Sequence, residues 1–227
     1  MPRRVLVIAP HADDETLGVG GTIARRVAVG DEVHVAIMTG HGENPHPLWP
    51  RSDWDRVRAE ARRAMDVLGA AALHFDELPA ALVADLPGYR VNAAVSQMIE
   101  RIAPEILFVP FSHDLHRDHR EIFHAASVAW RSSSAAGRAI RSVYCYEVQS
   151  ETHWNPPYLE AGFLPNTWVD ITDQLEVKLR ALACYESQVR AAPDARSIDA
   201  VRALAVWRGS QQGLGAAEAF VAIKRIE

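Results

Sequence analysis

Cysteine is scarce in this chain: Cys145 and Cys184 are the only two among 227 residues. Two thiols cannot build a disulfide scaffold, and neither has a cysteine partner at metal-ligand spacing, so buried free thiols in a reducing compartment are expected. Long apolar runs are missing too. No stretch approaches the roughly 18 to 20 residues of a membrane span, and Met1-Pro2-Arg3-Arg4 leads straight into Val5-Leu6-Val7-Ile8 without the pattern of a cleaved signal peptide. Positive charge is in deficit, with 24 Lys and Arg against 29 Asp and Glu and a formal net charge of −5. That balance argues against general polyanion binding. These absences predict a cytoplasmic protein with no membrane and no nucleic-acid partner.

What remains is an ordinary globular composition, 48% hydrophobic and 23% charged, in a chain long enough to bury a sizeable core. Residues 4–9 form a short apolar run bounded by Pro10, as a strand buried on both faces would. A helix is expected over 15–29, closed by Gly30, although Gly18, Gly20 and Gly21 weaken its first turns. A second strand over 32–39 runs into a glycine- and proline-rich loop over 40–50. Val57, Ala61, Ala64, Met65 and Leu68 lie on one stripe of a helix over 53–68 that stops at Gly69. The alternation continues with a short strand at 73–75, a helix at 91–102, a buried strand at 105–109, a histidine-rich loop at 112–118 and a helix at 119–131. After a small-residue linker at 132–136, strands are expected at 141–148 and 168–171, helices at 173–189 and 198–206, and a closing edge strand at 219–223. Repeated strand–helix alternation implies right-handed crossovers. The expected fold is therefore α/β: a Rossmann-like, mostly parallel sheet with helices on both faces, in one domain over 1–227.

Two clusters carry chemistry. Pro10-His11-Ala12-Asp13-Asp14-Glu15 follows the first strand directly, where open α/β sheets hold their sites. Helix capping explains one of its aspartates. It does not explain a histidine beside two adjacent aspartates, because such crowded like charges are costly without a compensating cation. The second cluster, His113-Asp114-Leu115-His116-Arg117-Asp118-His119-Arg120, follows the strand at 105–109 and holds three of the ten histidines. It reads either as a solvated polar loop with a helix start capped by Asp118, or as a second set of metal ligands. If the two strands are neighbours at the switch point of the sheet, both clusters converge on one ion, and imidazole with carboxylate suits Zn²⁺ or a similar first-row metal. Gly18-Val19-Gly20-Gly21 superficially suggests a dinucleotide loop, but the Gly-x-Gly-x-x-Gly spacing is absent.

These motifs resemble those of the PIG-L/LmbE-like metal-dependent N-deacetylases. Residues 10–15 match the family's His-Pro-Asp-Asp-Glu signature, with Ala12 in place of proline, and residues 116–120 match its His-Pro-Asp-His-Arg signature, with Arg117 in place of proline. Tyr185-Glu186-Ser187-Gln188, Arg208-Gly209 and Ala217-Glu218-Ala219-Phe220 extend the resemblance along nearly the whole chain. The resemblance implies that His11, Asp14 and His119 are the protein ligands of a catalytic zinc. It makes Asp13 the general base, His116 a cationic donor to the oxyanion, and Asp118 the group that orients His116. For substrate contacts it suggests Arg56 or Arg58. Glu43, His41 and His46 lie in a loop bordering the same crevice, His153 in an insertion that could form a lid, and Trp49, Trp54 and Trp154 are available to stack on a sugar or to pack under a loop.

The implied function is hydrolysis of the acetyl amide of an N-acetylglucosamine-type amino sugar or conjugate, a small-molecule substrate, with Zn²⁺ replaceable by Fe²⁺, Co²⁺ or Mn²⁺ and with a homo-oligomer possible. The residue spacing alone reaches only metal-assisted hydrolysis. Another ester or phosphoester substrate is the enzymatic alternative, and a non-catalytic sugar-binding module is the other. The latter has no need of Asp13.

Overall fold

Val5, Val7 and Ala9 of the first strand face one apolar core while Leu6 and Ile8 face another, and all five are buried. The period-2 alternation of a strand, apolar on both sides, is what a sheet covered by helices on each face requires. The computed structural model describes residues 2–42 and 45–227. Seven strands form one sheet: β1 (Arg4–Ala9), β2 (Glu32–Gly40), β3 (Ala72–Pro79), β4 (Ile106–Pro110), β5 (Ser142–Tyr146), β6 (Thr167–Asp170) and β7 (Ala217–Arg225). Their spatial order is β3-β2-β1-β4-β5-β7-β6. Every pair from β3 to β5 is parallel, and β7 runs antiparallel to both β5 and β6.

Helices α1 (Asp14–Ala28) and α2 (Arg51–Leu68) cover one face together with α7 (Leu175–Ala183) and α8 (Ile198–Ser210). On the other face lie α3 (Gly88–Ile102) and α4 (Arg117–Ala129). Short helices α5 (Ala135–Ala139) and α6 (Gln149–Thr152) flank β5. The stripe read on α2 is the face it buries, and Gly69 adopts the left-handed conformation (φ 76°) that ends the helix. The glycines early in α1 serve close approach. A Cβ at Gly18 would stand 2.3 Å from the Tyr146 ring and one at Gly21 2.6 Å from Ile171, so α1 lies against the sheet more tightly than any larger residue permits. Among the described residues no helix is long and apolar enough to cross a membrane.

Four expectations are corrected. The closing strand is not an edge: β7 lies between β5 and β6, and β6 is the edge. The linker at 132–136 contains the start of α5. The strand at 73–75 runs over Ala72–Pro79 because it pairs along β2 as far as Gly40. The helix expected over 173–189 ends at Ala183. There the chain turns inward, so that the Tyr185 hydroxyl reaches Glu15 at 2.5 Å and Ser187 donates its backbone N–H and its hydroxyl to Glu60 at 3.0 and 2.6 Å.

Candidate metal and active site

β1 and β4 are parallel neighbours, and Val7 pairs with Phe108. Their carboxyl ends therefore lie side by side, and the two clusters that follow them meet. His11 sits in the turn after β1, Asp14 opens α1, and His119 lies in the first turn of α4. The His11 Nδ1 and His119 Nε2 atoms are 3.3 Å apart, and Asp14 Oδ2 lies 3.4 Å from the first and 3.2 Å from the second. Two ligands bound tetrahedrally at about 2.0 to 2.1 Å stand about 3.3 to 3.4 Å apart. Two of the separations fall on that figure and the third, 3.2 Å, lies within 0.1 Å of it.

The second hydrogen bond of each histidine completes the fit. His11 Nε2 donates to Asp118 Oδ2 at 2.9 Å, and His119 Nδ1 to Asp114 Oδ2 at 2.8 Å. Each ring thus places its hydrogen outward and turns a lone pair toward the common point, the carboxylate–histidine arrangement of metal sites. Burial works against charge on His11, but Asp118 and Asp14 outweigh it and hold the imidazole up at about 9. Burial would likewise raise Asp14, yet His119 and His11 keep it well below the usual carboxylate range. The donor set, two imidazoles and one carboxylate, suits Zn²⁺ and its first-row neighbours.

Asp13 occupies the N-cap position of α1, but its side chain caps nothing. Asp14 does not cap the helix either: its carboxylate accepts the backbone N–H of His11 at 2.8 Å. The capping explanation for one of the aspartates is therefore corrected. Asp13 holds a positive φ of 122°, a strained backbone for a residue with a Cβ. Its carboxyl is buried with Arg196 as a cationic neighbour at 3.9 Å. Burial first, and then Asp14, push its pKa well above the ordinary carboxylate value.

The pairing of Asp118 with His116 is also corrected. Asp118 accepts from His11 and from the backbone N–H groups of Ala81 and Val83, at 2.6 and 3.2 Å, while its nearest approach to His116 Nδ1 is 4.0 Å. His116 is the N-cap of α4, and its Nδ1 accepts the Asp118 backbone N–H at 3.2 Å. An amide N–H can only donate, so Nδ1 carries a lone pair and the ring hydrogen is on Nε2. Burial and the neighbouring His11 depress the His116 pKa to about 4. This geometry fits a neutral Nε2–H donor in place of the expected cation.

These groups open into a cavity of about 520 Å³ whose wall includes His11, Asp13, Asp14, His116, Glu151 and Arg196. Trp49, Trp54 and Arg56 line it as well, Arg56 pairing with Asp53 at 3.0 Å. Arg58 instead binds Glu77 at 2.7 Å. His41 and His46 are buried outside this wall, and Trp154 is exposed elsewhere. His153 is not at the site: its Nε2 bonds Glu147 at 2.7 Å, and it lines a separate cavity with Trp168 and Trp207. Glu43 lies outside the described residues. Sequence reading assigned no role to Asp114, Glu151 or Arg196. For Asp114 the signal was present, a carboxylate inside the histidine cluster. Arg196 comes from the turn before α8 and Glu151 from the short helix α6, neither with a local mark.

Comparison with known proteins shows the family. The sequence model of the family described as PIG-L: GlcNAc-PI de-N-acetylase matches residues 6–130, more than half of the chain. A diacetylchitobiose deacetylase from Thermococcus kodakarensis is 29% identical over 203 residues, covering 82% of this chain and 70% of that protein. A 4-oxalmesaconate hydratase from Pseudomonas putida is 25% identical over 207 residues, covering 82% and 74%. Among solved structures, the conserved protein TT1542 from Thermus thermophilus superimposes with a TM-score of 0.76 at 26% identity, covering 99% of this chain and 96% of that one. The chain belongs to the PIG-L family.

Proposed function

From membership of the PIG-L family and the geometry of the cluster, we propose that this chain is a metal-dependent N-deacetylase that hydrolyses the acetyl amide of an N-acetylglucosamine-type sugar or conjugate. The observation that carries this reading is the convergence of His11, Asp14 and His119 at tetrahedral-edge distances, with Asp13 and His116 on the wall of the same cavity. The three residues would hold Zn²⁺, or Fe²⁺, Co²⁺ or Mn²⁺ in its place. When bound, such an ion polarises a carbonyl and makes water a nucleophile near neutral pH.

The chain's own residues do the rest. Asp13 takes a proton from the attacking water as its oxygen bonds to the acyl carbon. His116, a neutral Nε2–H donor, hydrogen-bonds the carbonyl oxygen as negative charge develops there. Asp13 then returns its proton to the nitrogen as the carbon–nitrogen bond breaks, because an amine leaves poorly unless protonated. The products are acetate and a free amino sugar. Asp118 and Asp114 orient His11 and His119. Arg56 is the candidate for substrate contact, and Trp49 and Trp54 give the mouth an apolar wall on which a sugar ring can lie. We assign the chain to the cytoplasm, in keeping with its two unpaired thiols.

The similarity to a hydratase supports a second reading, addition of water to a carbon–carbon double bond, which leaves no amine. Incubating the metal-loaded protein with N-acetylglucosamine, diacetylchitobiose and N-acetylglucosaminides, with acetate and new primary amine measured together, separates the two. Deacetylation releases both in equal amounts. Neither product from any of these substrates would overturn the proposed function.

A further inference from the structure

The loop between β4 and α4, which carries His119, is gripped from outside by the segment following β5. Leu115 donates its backbone N–H to the Glu151 carbonyl at 3.1 Å, and the Asn155 amide reaches the His113 carbonyl at 2.8 Å. Arg120 donates from Nε to the Asp114 carbonyl at 2.6 Å while Glu160 holds the rest of its guanidinium at 2.8 and 2.6 Å. Thr152 lies at the centre of this grip. It is buried, its hydroxyl oxygen is 2.9 Å from the Val148 backbone N–H, and the same oxygen is 2.5 Å from Asp114 Oδ1.

Counting hydrogens fixes the direction of each bond. The Val148 N–H can only donate, so the Thr152 oxygen accepts it, and the single hydroxyl hydrogen is free for Asp114 Oδ1. With Oδ1 occupied in this way, Oδ2 is turned to accept from His119 Nδ1 at 2.8 Å. The ring of His119 is then left with its lone pair on Nε2, the atom that faces His11 and Asp14. A threonine serving only to cap the start of α6 would bond Val148 alone.

We propose that Thr152 is a positioning residue for the metal ligand His119, fixing the ring's tautomer and orientation through Asp114. The inference rests on the metal reading above and adds to it a residue outside both sequence motifs. The test is Zn²⁺ affinity, measured on the metal-free protein by competition with a chromophoric chelator, for wild type, Thr152→Val and Thr152→Ser, with the melting temperature of each metal-free protein recorded alongside. Outer partners of metal-bound histidines are worth about 10- to 100-fold in affinity. Thr152→Val is expected to bind Zn²⁺ at least about 10-fold more weakly, and Thr152→Ser, which keeps the hydroxyl, to recover most of the loss. A lowered melting temperature with unchanged affinity would assign the hydroxyl to folding alone and overturn the proposal. Wild-type protein that takes up no divalent metal would remove the metal reading and this inference together.

Discussion

Replacing Asp13 with asparagine keeps the shape of the side chain and removes the group assigned to accept a proton. The ligands His11, Asp14 and His119 are untouched, so metal content stays at the wild-type level. Turnover falls about 10²- to 10⁴-fold, the usual contribution of a positioned base, or about 2.7 to 5.4 kcal/mol of barrier. Stability moves the other way. Burial and the adjacent Asp14 make ionised Asp13 unfavourable in the folded chain, and neutral asparagine escapes that penalty. Asp13→Gly also relieves the backbone held at φ 122°, a strain of about 1 kcal/mol that corresponds to about 2 to 4 °C in a chain of this size. The assay combines kcat from amine release, metal content by elemental analysis, and melting of the metal-free proteins. The expected order of melting temperatures is glycine variant highest, then asparagine variant, then wild type. Near-normal turnover of Asp13→Asn with metal bound would refute the assignment of the base. A metal-free asparagine variant that melts several degrees below wild type would refute the claim that this carboxylate is held against stability.

His119→Ala should abolish both metal uptake and turnover, and full metal occupancy in that variant by elemental analysis would end the ligand assignment. Asp118→Asn should weaken metal binding about 10- to 100-fold through His11; unchanged affinity with reduced turnover would instead restore the pairing with His116. Outside the cavity wall, Glu147 binds Arg208 at 2.7 and 2.6 Å, both side chains being buried. Glu147→Gln should cost about 3 to 5 kcal/mol in urea unfolding at pH 7, because it strands a buried guanidinium. Burial opposes ionisation of Glu147, but His153 and Arg208 outweigh it and hold its pKa below the ordinary 4.5. That stabilisation is complete above the unfolded value and is lost as pH falls through the folded one. The gap between wild type and variant should therefore close below about pH 4.5, and a gap that widens there would contradict the assignment.

Much of the sheet was legible in the sequence because its strands are buried on both faces and so read as short apolar runs. β1, β2 and β4 are of this kind, and each is followed by a helix, with a clear stop after the first and a clear stripe on the second. The tail was less legible. Whether the strand at Ala217–Arg225 sits at the edge or within the sheet depends on its partners β5 and β6, and no local period records that. The end of α7 is similar, since helical spacing continues past Ala183 while Tyr185 and Ser187 are drawn inward to Glu15 and Glu60.

The same division runs through the site. The clusters that hold His11, Asp14 and His119 could be located because each follows the end of a strand, and the ends of two neighbouring parallel strands must come together; the family resemblance singled out these three as ligands. Their direct partners obey no such rule. Asp118 was matched with His116 on the family resemblance, yet backbone N–H groups of Ala81 and Val83 hold its carboxylate in place to receive His11. Those two donors belong to the connection after β3, more than thirty residues away. A shared motif therefore predicts which residues reach the site and fails to predict which atom each one faces. The roles of a carboxylate among several histidines follow from the direction of its hydrogen bonds, and here those directions make Asp118 and Asp114 two equivalent holders, one for each imidazole ligand.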